Sequence, residues 1–325
     1  MRTDVAAWLA RRSYRAEQFP AGGLAAAKGG SRVSVVLPAL NEERTVGDII
    51  ATIREDLVKA VPLVDELVVV DSGSTDATIE VASAAGARVA EARHVLPRLG
   101  HVPGKGEVLW KALHVTTGDV VVFVDSDLEA FSSSFVTGLL GPLLTDPDVG
   151  FVKATYDRPL ATVDGIAPTG GGRVTELLAR PLLNALWPQL SGFVQPLSGE
   201  YAGRRHLLER VPFVSGYGVE TGLLIDLLRL AGLDALCQVD LGRRAHGHQS
   251  DQALGRMAGQ ILHTVLSRLP VELGPDPTLV QYLRDAAGHY EHVSWDVSVQ
   301  ERPPIATVPA YRAARLPGAG ASSWG

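Results

Sequence analysis

Between residues 33 and 124 the chain alternates short runs of β-branched residues with amphipathic stretches, and few topologies accommodate that alternation. Residues 33–37, 66–70, 88–90 and 120–124 read as strands, with helices from about Thr45 and after Asp76. The run Val120-Val121-Val122-Phe123-Val124 has no polar interruption, so it belongs in the middle of a sheet covered on both faces. Strand and helix taking turns means βαβ units, hence an α/β fold: a mostly parallel sheet flanked by helices. After Leu128 the pattern becomes more helical, with helices expected over 133–144, 174–186, 219–230 and 252–268, separated by glycine-rich turns.

At 325 residues the chain is long for one ordinary domain but suits a single elaborated α/β domain. We divide it into an N-terminal arm (1–30), a first half (31–160), a more helical second half of the same domain (161–270) and a C-terminal extension with a tail (271–325). The arm is expected to dock loosely and residues 316–325 to fray. A hydrophobic content of 46% with 20% charged residues fits a soluble globular protein, and the formal net charge of −6 argues against nucleic-acid binding. The single cysteine, Cys237, lies in an apolar stretch and reads as a small core residue. No run of about 18 uncharged apolar residues occurs, and the N-terminus lacks the apolar segment of a signal peptide, so a cytoplasmic protein with no membrane partner is expected.

Polar residues gather where the strands end. Asp125-Ser126-Asp127 follows the central apolar run, and open α/β sheets bind ligands at the carboxyl ends of their strands. Both carboxylates point to one side, where their repulsion favours a divalent cation with hard oxygen ligands, and a metal-bound diphosphate follows. The first strand ends in Leu37-Pro38-Ala39-Leu40-Asn41-Glu42-Glu43 and the second in Val70-Asp71-Ser72-Gly73-Ser74-Thr75-Asp76. Taken alone, the Asp125-Ser126-Asp127 pair and Glu42 or Glu43 read better as helix-start acids, and the Asp71–Asp76 turn reads equally well as an N-cap at Thr75 or Asp76. Three polar loops opening on the same edge are harder to attribute to capping, and they imply a nucleotide site. Further on, Gly170-Gly171-Gly172 precedes a helix, so backbone amides and the helix N-terminus can face one anion. Arg173 and Thr175 strengthen that site with a bidentate guanidinium and a hydroxyl.

Taken together, the three strand-end motifs resemble the nucleotide-sugar half of a GT-A glycosyltransferase, whose sheet is Rossmann-like. Pro103-Gly104-Lys105-Gly106-Glu107, Thr169-Gly170-Gly171-Gly172-Arg173-Val174-Thr175-Glu176, Pro196-Leu197-Ser198-Gly199-Glu200-Tyr201, Gly216-Tyr217-Gly218-Val219-Glu220 and Arg244-Ala245-His246 narrow the likeness. They resemble the glucosyl-3-phosphoglycerate synthases of actinobacteria over roughly residues 33–269. The resemblance implies a retaining transfer of glucose from UDP-glucose to the 2-hydroxyl of 3-phospho-D-glycerate, with Mg²⁺ as cofactor and Mn²⁺ tolerated, by a homodimer.

It also implies roles for residues of this chain. Asp127 and His246 would hold the metal, while Pro38, Ala39, Leu40, Glu42, Ser72, Lys105, Asp125 and Ser126 would bind the donor. Gly172, Arg173, Thr175, Arg244 and His248 would bind the acceptor, and Asp127, Glu220 and Lys105 would carry catalysis, with Tyr217 walling the sugar. Lys105, between two glycines, reads as part of a mobile loop. His248 stands where the family pattern has an amide side chain. The nearest rival is a mannosyl-3-phosphoglycerate synthase using GDP-mannose. A polyprenyl-phosphate glycosyltransferase would need membrane-facing segments that the sequence lacks, and a non-catalytic nucleotide-sugar sensor would not need both a metal site and an anion pocket.

Overall fold

The computed structural model describes residues 1–157, 160–162, 165–167, 172–244, 250–274, 276–284 and 288–315. In chain order it runs α1 (Thr3–Arg12), β1 (Ser13–Arg15), α2 (Ala21–Lys28), β2 (Val33–Ala39), α3 (Val46–Arg54), β3 (Glu66–Asp71), α4 (Thr78–Ala84) and β4 (Arg88–Glu91). Then come α5 (Lys105–Val115), β5 (Val120–Phe123), α6 (Ser134–Thr145), β6 (Phe151–Asp157) and the short pair β7 (Leu160–Thr162) and β8 (Gly165–Ala167). A wide helical turn, Thr175–Ala179, leads into α7 (Arg180–Leu186), followed by β9 (Tyr201–Arg204), α8 (Arg205–Leu208), β10 (Phe213–Val214), α9 (Val219–Ala231) and β11 (Leu236–Arg243). The chain continues with α10 (Asp251–Leu266), β12 (Thr278–Arg284), β13 (Tyr290–Asp296), β14 (Glu301–Arg302) and α11 (Pro309–Ala314).

Eight strands make one sheet in the order β1-β11-β6-β9-β5-β2-β3-β4. Every neighbouring pair is parallel except those of β9, which runs antiparallel to both β5 and β6. Strand alternation divides the core between two faces. Val36, Val68, Val121 and Phe123 face the layer of Trp110, Leu113 and Leu224, whereas Val35, Leu37, Val69 and Val122 face Ile49, Ile50 and Leu139. The register sets the site. Val36 pairs with Phe123 and Ala39 with Asp71, so the loops leaving β2, β3 and β5 open on one carboxyl edge.

The expected α/β architecture is present, but β6, β9 and β11, all after β5, were not anticipated. A fully buried lysine, Lys153, interrupts the apolar run of β6, and β9 is the short Tyr201-Ala202-Gly203-Arg204. Neither carries the strong β-branched signal of β2 or β5. Cys237, as expected, is a buried core residue of β11.

The N-terminal residues correct the expectation of a loosely docked arm. β1 forms the sheet edge, with Ser13 opposite Gln238 and Tyr14 opposite Val239 of β11. Trp8, 1% exposed, donates from Nε1 to the Leu236 carbonyl at 2.8 Å and packs on Phe193. The extension after α10 is likewise tied down: β14 pairs antiparallel with β10, and Tyr311 of α11 is buried. Residues 316–325, expected to fray, lie outside the described residues.

Removing the Trp8 indole leaves a cavity and an unmet carbonyl, so Trp8→Ala should destabilise the fold by about 3–5 kcal/mol. Urea denaturation measures it, and a loss below roughly 1 kcal/mol would show that the first helix is not part of the core.

Candidate active site

A cavity of about 770 Å³ opens at the carboxyl edge of the sheet. Pro38, Ala39, Leu40 and Glu42 from the loop after β2, Ser72 from the loop after β3, and Asp125, Ser126 and Asp127 from the loop after β5 all line it. These loops are fastened to one another. The Ser126 hydroxyl donates to the Pro38 carbonyl at 2.8 Å, and the Thr45 hydroxyl donates to the Ser126 carbonyl at 2.6 Å. Asn41 takes a left-handed backbone, φ 58°, and its side-chain oxygen accepts from the Thr75 amide at 2.8 Å. Asp71 accepts from the amides of Gly73 and Ser74, and Glu43 accepts from the Ala77 amide at the start of α4. Asp71 therefore closes the turn after β3 and Glu43 reaches the start of α4, whereas Glu42 and Ser72 face the cavity.

Charge is concentrated behind the rim. Lys105 is not in a mobile loop: it is the first residue of α5, and its ammonium lies 2.5 Å from Asp125, 3.4 Å from Glu220 and 3.2 Å from the Gly199 carbonyl. Any Cβ at Gly199 would overlap the Asp125 carboxylate and the Lys105 ammonium, so only glycine permits this approach. Arg244, the residue after β11, spans both rim acids from Nη2, 3.1 Å from Asp125 and 3.0 Å from Asp127. Its Nη1 reaches the fully buried Glu200 at 3.0 Å and the Tyr156 hydroxyl at 2.8 Å.

Burial opposes every one of these charges, and pairing decides the outcome. Burial works against ionisation of Asp125, but Lys105 and Arg244 hold its carboxyl well below the usual range. Lys105 and Arg244 are in turn held charged by Asp125, Glu220 and Glu200 despite burial. Glu200 is pushed up by burial and by Asp125. Glu42 is pushed up by burial and by Asp127. Beneath the rim, Lys153 of β6 donates to the Ser198 carbonyl and lies 4.4 Å over the Tyr201 ring. Burial pushes its ammonium down to about 7, against the pull of Glu220.

The opposite wall is built by the second half. Gly172, with φ +83°, opens the helical segment that carries Arg173 and Thr175, and all three line the cavity. Arg173 pairs with Asp251 at the start of α10, and Thr175 is buried. Gly170, Gly171, His246 and His248 lie outside the described residues. Glu220, from the first turn of α9, and Tyr217 line the cavity. The apolar face of α10, Leu254, Met257 and Ile261, was not foreseen as part of it, nor was His101. Glu200 and Tyr156 were also missed as the anchors of Arg244, although Glu200 sits in a motif that carried the resemblance.

Among the described residues no three acidic, histidine or cysteine side chains form a ready-made metal cluster. The donor set nevertheless suits a hard divalent cation: the Asp127 side chain is 51% exposed on the cavity rim, beside the carboxylate of Asp125. Among the described residues no helix is long and apolar enough to cross a membrane.

A parallel sheet whose carboxyl edge presents a polar loop, a paired-acid rim and a cationic backing defines a GT-A glycosyltransferase, and the glycosyl transferase family 2 profile matches residues 34–192. The likeness is closer than that. The chain is 49% identical to the glucosyl-3-phosphoglycerate synthase of Mycolicibacterium smegmatis over 93% of its own length and 98% of that protein. The mannosyl-3-phosphoglycerate synthase of Rubrobacter xylanophilus superposes with a TM-score of 0.86 at 40% identity, covering 93% of this chain and 97% of that one. The glucosyl-3-phosphoglycerate synthase of Mycobacterium tuberculosis, solved with Mn²⁺, UDP-glucose and phosphoglyceric acid, superposes at 0.79 with 48% identity, covering 89% and 95%. The same enzyme with Mg²⁺ and UDP superposes at 0.81 with 46% identity, covering 91% and 98%. The chain belongs to the glucosyl-3-phosphoglycerate synthase family.

Between about pH 7 and pH 10 the unfolded chain protonates Lys153 while the folded chain does so less, so this residue makes stability rise with pH in that window. Relative to Lys153→Met, the wild type should gain roughly 3 kcal/mol from about pH 7 to about pH 10 in urea denaturation. Parallel stability profiles for the two proteins would show that Lys153 keeps an ordinary affinity for its proton.

Proposed function

We propose that this chain transfers glucose from UDP-glucose to the 2-hydroxyl of 3-phospho-D-glycerate, with retention at the anomeric carbon and with Mg²⁺ or Mn²⁺. The observation that carries the proposal is that one cavity joins the rim acids and nucleotide-side loops to the Gly172, Arg173 and Thr175 wall. A donor diphosphate and a small phosphorylated acid each find a complementary surface, and the two surfaces face the same space. The relatives bound to Mn²⁺, UDP-glucose and phosphoglyceric acid support the same pairing of substrates.

The donor's nucleotide is assigned to Pro38, Ala39, Leu40, Glu42 and Ser72, and its diphosphate to the rim with Asp125 and Ser126. Asp127 would hold the metal, with His246 as the second protein ligand implied by the family. When bound, the cation neutralises charge on the departing diphosphate. Lys105, held in its charged form, supplies a second positive group on the same side. Glu220 is placed to accept hydrogen bonds from sugar hydroxyls, and Arg173, Thr175, Arg244 and His248 are assigned to the acceptor's phosphate and carboxylate. The bond from the anomeric carbon to the diphosphate oxygen breaks while a bond to the acceptor oxygen forms on the same face. The acceptor proton passes to the departing diphosphate.

A specific observation keeps the mannosyl alternative in view: the scaffold is shared with a mannosyl-3-phosphoglycerate synthase at a TM-score of 0.86. The discriminating experiment offers UDP-glucose, GDP-glucose and GDP-mannose in turn, each with 3-phosphoglycerate and Mg²⁺. UDP-glucose should give glucosyl-3-phosphoglycerate fastest, and a preference for GDP-mannose would replace the proposal with its rival. Asp127→Ala should lower kcat by roughly a hundred- to a thousandfold with an unchanged melting temperature, and unchanged turnover would remove the metal role from Asp127. Arg173→Ala should raise KM for 3-phosphoglycerate by about tenfold or more while KM for UDP-glucose stays within about twofold, since a charge-assisted contact to one substrate is lost. Equal increases in both constants would take Arg173 out of the acceptor site.

A further inference from the structure

We infer that Arg302 and Glu107 are positioning residues of the donor site, and that the C-terminal extension grips the loop that presents Lys105. The inference rests on the assignment of Lys105 to the donor diphosphate.

Loop 99–104 leads into α5 and contributes His101, Pro103 and Gly104 to the cavity wall, with Lys105 directly after it. Its first carbonyls are held from below. Arg302 of β14 donates to the Leu99 carbonyl at 2.9 Å and to the Gly100 carbonyl at 3.2 Å. Lys111, fully buried in α5, donates to the same Gly100 carbonyl at 3.1 Å and to the Ala92 carbonyl at 2.8 Å. Both cations converge on Glu107, which is 0% exposed: Arg302 reaches it at 2.5 and 2.8 Å, and Lys111 at 3.0 Å. Glu107 stands two residues after Lys105 in the first turn of α5, so the strut acts within one helical turn of the functional ammonium.

The far end of the loop is fastened by the same segment through a second path. Gly104 adopts φ +123°, and a Cβ there would collide with the Ser215 carbonyl. That carbonyl accepts from the Gly106 amide at 2.9 Å, while the Ser215 amide donates to the Gln300 carbonyl at 2.8 Å. Gln300 precedes β14, whose Glu301 and Arg302 pair with Val214 and Phe213 of β10. The Trp110 indole donates to the Pro303 carbonyl at 2.8 Å and closes the contact from α5. One short stretch, residues 300–303, thus reaches the loop's start, its end and the helix that follows it.

Buried ion pairs are a poor means of gaining stability, because desolvation cancels most of the attraction. Here each donor in the cluster also ends on a loop carbonyl, which sets backbone geometry. A cation that must meet a diphosphate loses much of its effect when displaced by about 1 Å, so this geometry bears directly on donor binding.

The test compares Arg302→Met, Arg302→Lys and Glu107→Gln with the wild type in the full chain. UDP binding with Mg²⁺ is measured by calorimetry, both KM values by kinetics, and exchange of the Lys105 and Gly106 amides by mass spectrometry. Arg302→Met should weaken UDP binding and raise KM for UDP-glucose by roughly tenfold and speed exchange at both amides. KM for 3-phosphoglycerate should stay within about twofold, Arg302→Lys should recover UDP binding to within about threefold, and Glu107→Gln should follow Arg302→Met in direction. A fall in melting temperature with wild-type UDP affinity and wild-type exchange would reduce Arg302 to a structural role and overturn the inference. Equal rises in both KM values would overturn it as well. Should the wild type bind no uridine nucleotide, the donor assignment falls instead, and the exchange rates alone decide whether Arg302 holds the loop.

Discussion

Asp125 is held from two sides, by Lys105 at the start of α5 and by Arg244 beyond the end of β11, and the rest of the site is arranged around that double grip. A carboxylate this enclosed stays ionised only because two cations offset its desolvation. Each cation then needs its own counter-charge. Glu220 answers Lys105, and the fully buried Glu200 answers Arg244. The result is a chain of alternating charges that spans the cavity floor and leaves Asp127, on the rim, as the more open acid. Truncating Arg244 would take the ion pair from the buried Glu200, and truncating Lys105 would take it from Glu220, so the network fixes geometry more firmly than any single pair would.

The network is assembled from both halves of the chain, and β9 is what joins them. Parallel strands deliver their loops to the carboxyl edge as they end, but an antiparallel strand delivers the residues that precede it. Tyr201 opens β9 opposite Phe123, the last residue of β5, so Gly199 and Glu200 arrive beside Asp125 without a long loop. That close arrival is what glycine at position 199 permits. The inserted strand thereby converts an ordinary ligand edge into a closed electrostatic unit.

This also explains which parts were legible in the sequence. The β-branched runs of β2, β3 and β5 declare buried parallel strands, and once their order is known the loops after Ala39, Asp71 and Phe123 must share an edge. The loops carrying Pro38, Glu42, Ser72, Asp125 and Asp127 could therefore be brought to one edge from pattern alone. Arg173 and Thr175 were legible because glycines, a guanidinium and a helix start stand together. Glu200, Tyr156 and Lys153 were not, since nothing in a linear pattern says that β9 runs backwards or that a lysine inside β6 is buried under Tyr201. The N-terminal residues misled for a different reason: their alanines and glycines read as a weakly attached arm, yet one tryptophan and a three-residue strand bind them to the sheet edge. Arg302, more than 190 residues from Glu107 in sequence, leaves no local signal at all.

The division of labour between scaffold and side chains follows from the same geometry. The fold as a whole superposes with both a glucosyl and a mannosyl synthase, so the shared scaffold does not by itself select the sugar. Discrimination between two hexoses that differ in one hydroxyl orientation requires a group that is paired with one and unpaired with the other. Such a group must touch the sugar; Glu220 and Tyr217, at the start of α9, line this cavity, with Glu220 beside the Lys105 ammonium. Leu40 and Ser72 line the same cavity from the loops after β2 and β3. These two sets of lining residues come from separate elements, α9 and the loops after β2 and β3, which a common scaffold can vary independently while the charge network between them stays fixed.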